Sequence, residues 1–142
     1  MKQSLIPTIF WLLVGVFVLV LCQFFIPAIR DIFKGSLWFL LPLAVFFLLG
    51  LLLLVLTLKS KIGGRLKKFL LITGASAAGF FLSVLLHNFF YALGVIASQI
   101  AVLNYLMKAL HVVFFYIAIF VCPIVFLVGM IGSIVLLVKK GR

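Results

Sequence analysis

LWFLLPLAVFFLLGLLLLVLTL, residues 37–58, holds no charged side chain, and it runs directly into KSKIGGRLKK, residues 59–68, which carries five positive charges. A helix needs ~20 apolar residues to cross a ~30 Å hydrocarbon layer, and this run exceeds that. Three further uncharged runs surround it, at 5–29, 69–93 and 112–138. Buried helices of soluble proteins are seldom so long without a polar face. The pattern therefore predicts an all-α integral membrane protein with four transmembrane helices in an up-down bundle.

Composition agrees. Hydrophobic residues make up 68% of the 142 positions and charged residues 9%, against roughly 25% charged in a soluble domain. Four spans leave short connections, so residues 1–142 read as one membrane domain. Lys2 before an apolar run resembles a secretory leader, but the run is too long and no Ala-x-Ala site follows, which predicts a retained first span. Cys22 and Cys122 both fall within apolar runs and read as small hydrophobes.

Charge sets the expected orientation. Twelve Lys and Arg face a single acid, Asp31, for a net charge of +11. With four spans, Lys2, the loop 59–68, Lys139, Lys140 and Arg142 fall on one side, and Arg30, Lys34 and Lys108 on the other. Nine against three predicts that both termini are cytoplasmic, in the cytoplasmic (plasma) membrane. Lys59, Lys61, Arg65, Lys67, Lys68, Lys139, Lys140 and Arg142 are then candidate contacts for anionic lipid headgroups, at ~1 kcal/mol each. With no soluble surface to carry a footprint, nucleic acid is not an expected partner.

Between the third and fourth spans, Ile96, Ile100, Leu103, Met107 and Leu110 recur at helical spacing. This predicts a short amphipathic interfacial helix over about 95–110, with Gly94 ending the third span. The alternative is that the third span continues to about Ala97.

In lipid, small and polar residues mark helix contacts. Such stripes are Thr8, Gly15 and Cys22 on the first span, and Gly50 and Thr57 on the second. The third carries Thr73, Ser76, Ser83, His87, Tyr91 and Gly94. The fourth carries His111, Ala118, Cys122, Gly129 and Ser133. The small run 74–79 predicts that the third span is the centre of packing. Thr73, Ser76, Ser83, His87, Asn88 and Tyr91 are the candidate polar seam or solute path, and Pro123 is the candidate hinge, since it removes a backbone donor in mid-span.

No span contains Asp, Glu, Lys or Arg to relay protons or carry gating charge. Ser83 and His87 lie on one helix, which is not the arrangement of a nucleophile and its base. Neither catalysis nor a cofactor is expected. His87, Cys22 and Cys122 come from three helices and lack local metal-ligand spacing. His111, at the edge of the fourth run, is expected ~10 Å above His87, too far to share a haem iron. The sequence thus predicts a non-catalytic structural or accessory membrane component. Its partners would be membrane lipids and either a membrane protein or a second copy of the chain. The alternative is a homo-oligomeric channel or carrier for a small neutral solute.

Overall fold

The computed structural model describes residues 2–33 and 36–141, with side chains described from residue 5 onward except at 33, 37, 140 and 141. Lys34 and Arg142 lie outside the described residues, as do the side chains of Lys2 and Lys140. Among the described residues, six α-helices account for nearly all: α1 Lys2–Phe25, α2 Pro27–Phe33, α3 Leu41–Lys59, α4 Gly64–Ile96, α5 Ala101–Tyr116 and α6 Cys122–Gly141. A 3₁₀ turn at Leu37–Leu40 leads into α3, and a π turn at Ile117–Val121 joins α5 to α6 without a break. Among the described residues, four segments are long and apolar enough to cross a membrane: Leu5–Phe25, Trp38–Lys59, Gly64–Gln99 and Ala101–Lys139.

Proline and glycine place the boundaries. The first apolar run does not continue as helix to residue 29. It breaks at Ile26, and Pro27 opens α2, where a missing N–H costs nothing. Pro42 occupies the first turn of α3 for the same reason. At the other end of α3, the Ser60 hydroxyl donates to the Thr57 carbonyl at 2.8 Å and accepts from the Ile62 N–H at 3.3 Å. Gly64 then enters α4 with φ +70°, a left-handed conformation that L-residues with a Cβ adopt at a cost.

The connection between the last two spans departs from the sequence expectation. No separate interfacial helix covers 95–110. Instead, α4 runs through Gly94 to Ile96, a 3₁₀ turn spans Ala97–Gln99, and α5 starts at Ala101. The amphipathic stripe belongs to two helix ends that pack on each other. Gly94 has no left-handed cap role; it is buried where a Cβ would sit 3.5 Å from that of Met107. The resulting segments of 36 and 39 residues rise about 54 and 58 Å, well beyond a ~30 Å hydrocarbon layer.

Contacts along these helices show one register. Gly94 faces Met107, His87 faces His111, Phe90 faces Phe114, Gly79 faces Cys122 and Thr73 faces Gly129, so the hairpin arms run antiparallel throughout. On the opposite flank of α4, Gly50 meets Ala77 and Phe47 meets Phe81. In that register the start of α3 is level with His87, and the hairpin beyond His87 stands clear of α3. The third span touches α3, α5 and α6, and α1 packs on α3.

Two kinds of packing hold these helices. Around α4 the backbones themselves meet: a Cβ on Gly74 would lie 2.8 Å from the Gly50 carbonyl oxygen, and one on Gly129 would lie 2.9 Å from the Thr73 nitrogen. On α1 the expected stripe of Thr8, Gly15 and Cys22 is not the packing face. Thr8 and Gly15 are exposed, Cys22 is half-buried, and nothing lies within 4 Å of a Cβ built on Gly15. Ile6, Ile9, Phe10 and Leu13 are buried instead, in a cluster with Phe46, Leu53, Leu70, Ala77 and Phe126. Bulky side chains fill the contact there, and dispersion between them supplies the attraction.

Candidate functional site

The candidate seam on α4 separates into three levels. Thr73 and Ser76 are buried in the half nearest the basic loop, and their hydroxyls turn back onto their own helix. Thr73 donates to the Phe69 carbonyl at 2.8 Å, and Ser76 Oγ lies 2.7 Å from the Ile72 oxygen. Such back-bonding satisfies a hydroxyl in an apolar setting and leaves it little capacity for a passing solute. One level further along, Ser83 is buried, with the Cys122 side chain beside it.

The third level holds His87, and here the structure corrects the expected separation of the two histidines. Their rings stack, with centroids 4.1 Å apart and planes at 30°. The antiparallel hairpin brings them level because the fourth span begins at Ala101, not at residue 112. His87 Nδ1 lies 3.0 Å from the His111 carbonyl oxygen. A carbonyl only accepts, so Nδ1 carries the proton, and a neutral His87 has its acceptor at Nε2. Rings in face contact leave no gap for a macrocycle between them, so the haem geometry fails here for a reason other than distance.

Asn88 and Tyr91 do not join a continuous path with the others. Asn88 is exposed and donates to the Val84 carbonyl on its own helix at 2.9 Å. Tyr91 is exposed, with its ring 5.3 Å from that of His111. Pro123, the candidate hinge, lies in the first turn of α6, one residue beyond the π turn. The Cys122 N–H bonds back to the Ile117 oxygen, five residues away, so an extra residue is accommodated just before the ring. That wider turn is a local answer to the crowding proline imposes on the preceding carbonyls.

Two openings adjoin these levels. A cleft of about 480 Å³ with both polar and apolar walls lies inside the hairpin turn, lined by Phe90, Tyr91, Gly94, Val95, Ser98, Asn104, Lys108 and His111. An apolar groove of about 400 Å³ lies between α1 and α6, with Phe17, Val20, Phe24, Phe46, Phe80, Cys122, Pro123 and Phe126 among its walls. At the opposite end, Lys59, Lys61, Arg65, Lys68 and Lys139 are exposed and Lys67 is half-buried.

The sequence reading passed over Gln23, which is fully buried. Its Nε2 donates to the Phe39 carbonyl at 2.8 Å and fastens the end of α1 to the 3₁₀ turn before α3. An amide inside an apolar run was the available signal, since it needs a partner wherever it is buried. Ser98, Asn104 and Lys108 also belong to the cleft, and all three fall within the stretch expected as an interfacial helix over about 95–110.

His87 provides a direct test of this level. His87→Gln keeps a donor toward the His111 carbonyl and is expected to melt close to wild type. His87→Leu loses that hydrogen bond and the imidazole stacking, with an expected loss of ~1–2 kcal/mol. Thermal unfolding in detergent reads both, and equal losses in the two variants would remove the hydrogen bond from the account.

The fold defines a class: a small all-helical protein whose four long helices suit a multi-pass membrane protein. Comparison of the chain with protein-family models, curated proteins and solved structures gives no match.

Proposed function

We propose that the chain is a non-catalytic structural or accessory component of the cytoplasmic membrane, an up-down four-helix bundle with both termini cytoplasmic. The observation that carries this reading is the close packing around α4. Gly50 and Gly74 bring α3 against it, Gly129 brings α6 against it, and the Thr73 and Ser76 hydroxyls are satisfied within their own helix. Such an interior supports a rigid scaffold in preference to a solute path through one copy. The two openings are partly open, and a lipid or a neighbouring protein would fill them. The exposed lysines and Arg65 around residues 59–68, with Lys139, supply the charge for anionic headgroups on the cytoplasmic face.

Two measurements test this. Purified protein in liposomes should leave glycerol and urea permeability at the background of empty vesicles, and mild-detergent purification should retain a stoichiometric membrane partner. A chain that elutes alone and conducts solute would overturn the reading. For orientation, Cys22→Ala and Cys122→Ala give a background for single cysteines in intact cells. Ser98→Cys should react with an impermeant maleimide and Lys61→Cys should not. The reverse pattern would reject the orientation that the nine-to-three charge bias predicts.

A further inference from the structure

Between Phe69 and Val138 the sequence has a single charged residue, Lys108, and it lines the cleft inside the hairpin turn. Two other polar atoms of the lining residues, Asn104 Oδ1 and His111 Nδ1, are buried and have no hydrogen-bond partner among the described residues. A buried acceptor without a donor is costly, and a cleft residue that carries one suits a ligand that supplies the donor. Ser98, exposed at the rim, adds a hydroxyl. Below the cleft the wall turns apolar, where Phe90 stacks on Phe114 at 5.5 Å with planes 12° apart.

The depth of the cleft narrows the ligand. From Lys68 to Gly94 the helix rises about 39 Å, against a bilayer ~40–45 Å thick with its headgroups. With the basic end in one headgroup layer, the cleft falls in the other. Tyr91 and Tyr105 lie on this end of the hairpin, and Trp38, at the start of the second span, is nearly level with them. Tyrosine and tryptophan gather at headgroup depth because one end of each ring is apolar and the other hydrogen-bonds.

We propose that this cleft binds the headgroup of a glycerophospholipid that bears a terminal hydrogen-bond donor, of which phosphatidylethanolamine is the simplest. The phosphate meets the Lys108 ammonium and His111 Nδ1–H, the donor beyond it meets Asn104 Oδ1, and the acyl chains follow the apolar wall toward Phe90. Gly94 leaves the room, since a side chain at that position would enter the space beside Asn104. This inference stands apart from the accessory role and holds whether or not a protein partner exists.

The test compares two zwitterionic lipids that share a phosphate and differ in their donors. Phosphatidylethanolamine and phosphatidylcholine are titrated onto the purified protein in detergent, and bound lipid is counted by native mass spectrometry. Wild type should prefer phosphatidylethanolamine by about tenfold, the scale of one charge-assisted hydrogen bond. Asn104→Leu should erase that preference, and Asn104→Asp, which keeps an acceptor, should retain it. Lys108→Gln should weaken both lipids by about fivefold, while Lys139→Gln, at the far end, should leave the preference intact. Melting temperatures measured alongside show that each variant is folded. Equal binding of the two lipids by wild type, or a preference that survives Asn104→Leu, would overturn the proposal. Displacement of the lipid by millimolar inorganic phosphate would also overturn it, by assigning the cleft to a soluble phosphate.

Discussion

Gly74→Val is expected to destabilise the protein by about 3 kcal/mol, at the upper end of what overpacking usually costs. The reason lies in what surrounds position 74. A Cβ there would lie 2.8 Å from the Gly50 carbonyl oxygen and 2.9 Å from the Leu54 nitrogen, both backbone atoms of α3. Side-chain neighbours can rotate away from a new methyl group, but a helix backbone can only translate. The α3–α4 separation would have to widen along its length, which also loosens Gly50 against Ala77 and Ala78. In lipid this contact has no hydrophobic transfer energy to fall back on, since dispersion between closely spaced backbones is what holds it. Gly15→Val makes the matched control: it adds the same side chain where no atom lies within 4 Å of the Cβ, and it should stay within ~0.5 kcal/mol of wild type. Thermal or denaturant unfolding in a fixed detergent reads both. A Gly74→Val protein that melts with Gly15→Val would show that α3 and α4 do not approach as described.

The contrast between those two glycines also explains how much could be read from the sequence. Stripes of small and polar residues located the packing faces of α3, α4 and α6, because there the backbones meet and only small residues permit it. Gly50, Thr57, Thr73, Ser76, Gly129 and Ser133 are all buried. On α1 the same rule pointed to the wrong face, since Phe10 and Leu13 pack by filling space and composition alone does not distinguish them from lipid-facing Leu and Phe. The hairpin turn was hidden for another reason. Ala97–Gln99 contains no glycine or proline to mark a reversal, and a stripe at spacings of three and four suits an interfacial helix as well as two paired helix ends. Only the long-range register that sets Gly94 on Met107 decides between them, and a single sequence does not carry it. The stacked histidines were missed as a direct consequence, because their expected separation was measured from the wrong start of the fourth span.

Phe126→Ala is the second large effect. Phe126 is 2% exposed and reaches from α6 into the cluster between α1 and α3. Its ring centroid is 4.6 Å from Phe17 and 5.2 Å from Phe46, so three helices share one aromatic contact. Truncation in a soluble core would cost about 3–5 kcal/mol, part of it lost transfer from water and part the cavity left behind. Separated helices in a bilayer already keep the ring out of water, so the cavity and dispersion parts dominate, and the expected loss is about 2–3 kcal/mol. Because Phe126 also walls the groove between α1 and α6, its removal should deepen that groove toward the core and loosen α1. Cys22, half-buried on α1, reports the second consequence. Its reaction with a membrane-permeable maleimide should accelerate in Phe126→Ala, with Cys122→Ala as the background, while Phe126→Leu, which keeps most of the volume, should react nearly as slowly as the parent. An unchanged labelling rate together with an unchanged melting temperature would mean that α1 is held by its contact with α3 alone.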